Sequence, residues 1–378
     1  MVSSRREFLT AAGSLGLAAT VSDVAAAGEA DAESTATRQF KRIAMEEAFF
    51  TTETIDGYQR LADSGYADPA FVQEMALLLN IKHPGLQRIL DRLMDLEGER
   101  LSIMDANGID MQVLGLSAPG INVFEKDDAV SIAQRANDQL GAALIAHPDR
   151  YIGMATIVAQ DPKWSAKELE RCVNEYGMKL ALSNSHTHDE YLDAKKNWPM
   201  FEALESLNLP LYIHPRAVGA KLRESMMGAD FNIGHVHWGF GIETSTHAVR
   251  LMYSGVFDQF PGLKVILGHM GEGIPFWLNR MDAYTQASSA LGLPPGIAKR
   301  LPSDYFRENF YVTTSGFYDH AALKLCHDVL GPEKIMFAVD YPYGSTEKAV
   351  KMLNTAPFPE DDLQMMFSGN AERLLGLS

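Results

Sequence analysis

The chain has 378 residues, 46% hydrophobic and 22% charged, a composition that supports a full buried core and excludes a disordered or fibrous protein. Thirty-three Lys and Arg against 49 Asp and Glu give a formal charge of -16, which argues against a nucleic-acid partner because phosphate contacts need clustered cations. Two cysteines, Cys172 and Cys326, can build neither a zinc ribbon nor a disulfide framework.

At the start of the chain, Ser3-Ser4-Arg5-Arg6-Glu7-Phe8-Leu9 sets an arginine pair before a short apolar stretch ending near Val21. Ala25-Ala26-Ala27 then supplies small residues suited to signal peptidase. The pattern predicts a twin-arginine export signal over residues 1–27 and a periplasmic protein. The stretch is too short, and too rich in Gly and Ala, to remain in a membrane as a stable helix. Residues 28–40 are small, polar and acidic and read as a disordered linker, leaving 41–378 as the folded domain.

Eight apolar runs of strand length follow, at 42–46, 111–116, 151–157, 178–183, 209–213, 263–268, 310–314 and 335–339. Helical patterns lie between them at 127–147, 165–176, 198–207, 244–255 and 321–330. Several strands are apolar nearly throughout, as expected of parallel strands covered on both faces. Eight strands alternating with helices predict an α/β fold, a (β/α)8 TIM-type barrel, with long insertions after strands 1 and 5. Cys172 and Cys326 fall on separate outer helices, so two buried free thiols are expected.

The strand ends carry the chemistry. Strand 1 ends in Glu46-Glu47, strand 5 runs into His214, strand 6 into His269 and strand 8 into Asp340. Barrels of this kind draw catalytic groups from the C-terminal ends of several strands. A carboxylate at a buried strand end is costly without a partner, and a divalent cation is such a partner. Two carboxylates with one or two imidazoles suit one Mn2+ or Zn2+ ion, water completing the shell. Strand alternation lets only one of Glu46 and Glu47 face the interior, leaving the other as a surface or supporting group. Phe49, Trp238, Phe240 and Phe276 are candidates to wall a ring-shaped ligand, and His186 and His188 to line the mouth. His235 and His237 read as loop residues and His247 as a structural helix residue.

Around these positions the sequence resembles the amidohydrolase superfamily, in its branch of metal-dependent non-oxidative aromatic-acid decarboxylases. The segments that carry the likeness include Ile43-Ala-Met-Glu-Glu-Ala-Phe49, Met104-Asp-Ala-Asn-Gly-Ile-Asp110 and Leu211-Tyr-Ile-His-Pro215. Phe240-Gly-Ile-Glu-Thr244, Leu267-Gly-His-Met-Gly-Glu272 and Phe337-Ala-Val-Asp-Tyr-Pro-Tyr343 complete it, over nearly all of 41–378. Within the branch the chain is most similar to 5-carboxyvanillate decarboxylases, whereas Arg216, directly after His-Pro, is a feature of γ-resorcylate decarboxylases. Lys82-His83-Pro84-Gly85 lacks the Arg that such enzymes insert into a neighbouring subunit's pocket.

The resemblance implies that Glu46, His214 and Asp340 are metal ligands. His269 would be a further ligand or an acid–base partner with Glu272 behind it, and Arg280, Tyr343 and Arg216 would contact the substrate. Ala48 stands where many relatives carry a second ligand His, and 183–185 holds no Lys to bridge two metals. Both imply a single ion, Mn2+ in preference to Zn2+. The implied activity is decarboxylation of a small ortho-hydroxy aromatic acid of the carboxyvanillate or hydroxybenzoate type. Asp340 would protonate the ring carbon, with His269 as relay, in a homodimer or homotetramer. The alternative is a mononuclear metal hydrolase of a lactone or amide, with Asp340 as the base that activates water. A ligand-binding protein on a retired barrel and a hydratase are further readings.

Overall fold

The computed structural model describes residues 40–80, 83–228, 232–293 and 298–377; the segments read as an export signal and as a linker up to residue 39 lie outside the described residues. Eight strands, β1 (Ile43–Phe49), β2 (Met111–Leu116), β3 (Tyr151–Thr156), β4 (Leu180–Ser183), β5 (Leu211–Ile213), β6 (Val265–Leu267), β7 (Phe310–Thr313) and β8 (Ile335–Met336), lie side by side in chain order, every neighbouring pair parallel. The last returns to the first. Met45 N–H donates to the Phe337 carbonyl at 2.9 Å, Ala48 N–H to Tyr341 at 2.7 Å, and Asp340 N–H to Glu46 at 3.0 Å. The result is the expected (β/α)8 barrel.

Most predicted strands overrun the observed ladders by one to three residues, and the reason is visible after β8. Phe337, Ala338 and Val339 are fully buried, which continues the apolar pattern, but their amides leave the ladder. Phe337 N–H donates to Met366 O at 2.8 Å, and Ala338 N–H to Thr314 Oγ1 at 3.0 Å. Strand β1 departs the other way and runs on to Phe49, so Glu46 and Glu47 lie inside it rather than at its end.

The insertion after β1 folds as four helices, α1 (Thr52–Asp63), α2 (Pro69–Asn80), α3 (Pro84–Met94) and α4 (Glu99–Ala106). Around the barrel follow α5 (Lys126–Ala146), α6 (Pro162–Tyr176), α7 (Trp198–Ser206), α8 (Gly239–Tyr253), α9 (Ile274–Ala290), α10 (Pro302–Asn309), α11 (His320–Leu330) and α12 (Thr346–Asn354). Local chemistry fixes several of their ends. In α6, Asp161 accepts a hydrogen bond from Trp164 N, Pro162 occupies the first turn, and Gly177 ends the helix at φ 67°. Helix α8, within the insertion after β5, starts five residues earlier than its apolar pattern, because those five residues include Gly239, Gly241 and the buried polar Glu243. Cys172 on α6 and Cys326 on α11 are buried and unpaired, as expected. Among the described residues no helix is long and apolar enough to cross a membrane.

Candidate active site

Glu46 is buried in β1 and aims into the barrel. Its Oε2 accepts hydrogen bonds from the Tyr212 phenol of β5 and, at 3.0 Å, from Thr313 Oγ1 of β7. Its Oε1 is equally buried but meets no donor, an omission that costs about 1–3 kcal/mol. His214 follows β5 directly. Its Nδ1–H donates to the Pro215 carbonyl at 2.7 Å, which leaves Nε2 as the free lone pair, 3.4 Å from Glu46 Oε1. Asp340 follows β8 in the left-handed region, at φ 70°. One ligand atom from each of Glu46, His214 and Asp340 lies within 4.8 Å of the other two. Donors about 2.1 Å from a shared ion stand roughly 3–4 Å from each other, so side-chain movements of up to about 1 Å bring the three onto one ion. The unsatisfied Oε1, the poised imidazole nitrogen and the nearby carboxylate therefore fit one divalent cation, and two oxygens with one nitrogen is a donor set that Mn2+ and Zn2+ both accept.

His269 adjoins this triad. Its Nδ1–H donates to Glu272 Oε1 at 2.8 Å, and its backbone N–H to Ser315 Oγ at 3.0 Å. Its Nε2 lies 3.8 Å from Glu46 Oε1 and 3.7 Å from Asp340 Oδ2. The turn that delivers it places His269, Met270 and Glu272 at φ 53°, 56° and 54°. Such left-handed non-glycine residues cost energy and gather at functional sites. Burial opposes a charge on His269, yet Glu46 and Glu272 around it raise the imidazole well above its ordinary value. Burial also raises the Asp340 carboxyl, with His269 pulling the other way. Glu46 ends below the ordinary range, because the His269 and His214 imidazoles outweigh its burial. The side chains of His269 and Asp340 keep 20% and 19% of their surface open, which puts both within reach of a ligand at the mouth.

The pocket at the triad is lined by Glu46, His214 and Asp340, with Glu47, Ser117 and Tyr212 as further polar groups and Ala48, Gly115, Leu116, Met154 and Leu182 as the apolar part of its wall. Of the predicted aromatic walls, Phe49 is buried, Phe240 packs against His235 with centroids 5.1 Å apart, and Trp238 and Phe276 are exposed. Tyr343 stands at the rim with its hydroxyl 2.9 Å from Ser117 Oγ. Arg216 and Arg280 are not brought into the pocket. Arg216 is buried under the β1 insertion, donating to His186 O at 3.2 Å and lying 3.5 Å from Glu74 and 3.9 Å from Asp68. Arg280 is exposed on α9 with its guanidinium 4.8 Å from the Tyr284 ring centre. His186 and His188 bond to the carbonyls of Ala217 and Phe124, and His247 bridges Ser185 and Leu192, a structural role.

One feature escaped the sequence reading. Tyr212 and Thr313 orient Glu46, and the signal for Tyr212 was its place two residues before His214, on the same strand face. Of the two places left open for Glu47, at the surface or in support, it takes the supporting one. The β1–β2 register shifts between Ala44 and Glu47, and both glutamates are buried.

An amidohydrolase family profile matches residues 75–377. The γ-resorcylate decarboxylase of Polaromonas sp. is 36% identical over 347 residues, 89% of this chain and 99% of that protein. The crystal structure of 5-carboxyvanillate decarboxylase from Sphingomonas paucimobilis superposes with a TM-score of 0.84 at 40% identity, covering 90% of this chain and 100% of the other. The 5-carboxyvanillate decarboxylase of Novosphingobium aromaticivorans, complexed with manganese and 4-hydroxy-3-methoxy-5-nitrobenzoic acid, gives a TM-score of 0.86 at 38% identity, covering 89% and 96%. With its barrel, its strand-end triad and its full-length relatives in agreement, this chain belongs to the amidohydrolase family.

Proposed function

We propose that the chain is a Mn2+-dependent, non-oxidative decarboxylase of an ortho-hydroxy aromatic acid, of the carboxyvanillate or hydroxybenzoate type. The observation that carries this reading is the convergence of Glu46, His214 and Asp340 within 4.8 Å, with His269 beside them. Relatives at 36–40% identity that decarboxylate such acids support it. A divalent cation held by those three residues supplies Lewis-acid stabilisation of charge on the phenolic oxygen, an effect of several kcal/mol. Asp340 gives its proton to the ring carbon that bears the carboxylate. A C–H bond forms, the bond to the carboxylate breaks, and CO2 leaves as its electron pair restores the aromatic ring. His269, oriented by Glu272, returns a proton to Asp340 across their 3.7 Å separation. Tyr343, beside Ser117, meets a ring substituent at the rim.

The test is to purify the chain, measure its bound metal, and incubate the Mn2+ form with hydroxybenzoates, carboxyvanillate and aromatic lactones. Release of CO2 without net water uptake is the expected result. Ring opening without CO2 would select the hydrolase alternative. Asp340→Asn loses at least the 10²–10⁴-fold typical of general acid catalysis, and an active variant with full metal content would overturn the assignment of the proton.

Export through the twin-arginine route rests on the Ser3–Leu9 pattern. That route carries folded cargo, so the metal is loaded before export. Unchanged periplasmic yield after replacing Arg5 and Arg6 with Lys would refute it. A homodimer or homotetramer is proposed from the family likeness, and light scattering on the purified chain decides it.

A further inference from the structure

We propose that Glu47 is the positioning residue for Asp340, gripping the backbone on both sides of it and thereby setting where the Asp340 carboxylate stands relative to Glu46 and His214. The inference rests on the reading of Asp340 as a metal ligand. Glu47 Oε1 accepts from Val339 N–H at 3.0 Å and Oε2 from Tyr341 N–H at 3.1 Å. The amide between them, that of Asp340, donates to the Glu46 carbonyl at 3.0 Å. Three successive amides of the β8 end are therefore held by the Glu46-Glu47 pair of β1. The residue at the centre of this grip is in the left-handed region at φ 70°, which an unconstrained aspartate seldom occupies.

A carboxylate suits this task because it offers two equivalent acceptors, while an amide would turn an NH2 group towards one of the two N–H donors. The clamp is itself braced. Gln112 Nε2 lies 3.5 Å from Glu47 Oε2, and Gln112 Oε1 accepts from Arg100 Nη1 at 3.2 Å. Arg100 is fully buried on α4, donates to the Ala48 carbonyl at 2.7 Å and lies 4.5 Å from the Tyr341 ring centre. Through this chain the insertion after β1 supports the ligand loop after β8. Outer groups of this kind typically carry a 10–100-fold effect on metal affinity.

The experiment is a Mn2+ titration of the full-length protein, followed by the paramagnetic resonance signal of the free ion. It compares wild type, Glu47→Gln, Glu47→Asp, Asp340→Asn and the double variant Glu47→Gln/Asp340→Asn, with the unfolding temperature of each metal-free protein measured alongside. Expected is a 10–100-fold weaker affinity for Glu47→Gln and an intermediate value for Glu47→Asp, which keeps two acceptors. In the Asp340→Asn background, Glu47→Gln has little further effect, because Glu47 acts through Asp340. Full additivity of the two losses would mean a merely structural role and overturn the proposal. So would wild-type affinity, within twofold, in the Glu47 variants. Should Glu47→Gln fail to fold, Glu47→Asp carries the same comparison alone and in the double variant. Wild-type affinity in Asp340→Asn would instead strike down the ligand assignment on which the inference rests.

Discussion

Glu243, in α8, makes a pH-dependent claim about stability. Its side chain is fully buried, with Ser185 and the Arg216 guanidinium nearby but no well-aligned hydrogen-bond donor on either carboxylate oxygen. Burial pushes the carboxyl from its ordinary value of 4.5 up to about 8, with Ser185 and the Arg216 guanidinium pulling against the shift. The folded chain therefore binds this proton more tightly than the unfolded chain does. The contribution to stability is whole below about pH 4.5 and is lost as pH rises through about 8. A displacement of that size corresponds to roughly 5 kcal/mol at its limit, a large part of an ordinary domain's stability. Glu243→Gln keeps the shape and cannot ionise. Urea unfolding of wild type and variant should agree near pH 4, below the ordinary value of 4.5, with the variant gaining several kcal/mol over wild type by about pH 9. Both proteins are stripped of metal with chelator, so that the ligand groups affect the two curves equally. A difference that stays flat with pH would refute the argument. A variant less stable than wild type at pH 9 would show Glu243 ionised and paired with Arg216.

Gly268 leaves room for Glu46: a Cβ there would stand 2.7 Å from Glu46 Oε2 and 3.1 Å from Ser315 Oγ. Gly268→Ala should weaken Mn2+ binding by 10-fold or more, read from the same titration. Neither Cys172 nor Cys326 should react with a thiol reagent in the native protein, and both should react after denaturation, since burial raises both thiols, that of Cys326 to about 12. Phe306 stacks on Phe310 with centroids 4.9 Å apart; Phe306→Ala should cost about 3–5 kcal/mol in urea unfolding. Arg280→Ala should leave the decarboxylation rate within twofold of wild type if this side chain does no more than cover Tyr284, and a loss of 100-fold would place it on the substrate after all.

The barrel was legible because its strands are apolar on both faces, and His214, His269 and Asp340 were legible because a polar residue ending such a strand stands out. What stayed hidden had partners that periodicity does not encode. Glu47 contacts amides nearly 300 residues further along the chain, and a register shift in β1 breaks the alternation by which its supporting place could have been told from a surface one. The family likeness implied Arg280 as a substrate contact; its helix shows Phe276, Trp277, Arg280 and Tyr284 all exposed. Helix α8 was read short because its first five residues, Gly239–Glu243, include two glycines and a buried Glu243 that break the apolar pattern. The hidden residues therefore do related work. Tyr212 and Thr313 fix which Glu46 oxygen is free, and Glu47 fixes the backbone that carries Asp340. A ligand set can be picked out from residue types at strand ends, but the geometry that lets three side chains share one ion comes from supporting hydrogen bonds that cross from one strand to another.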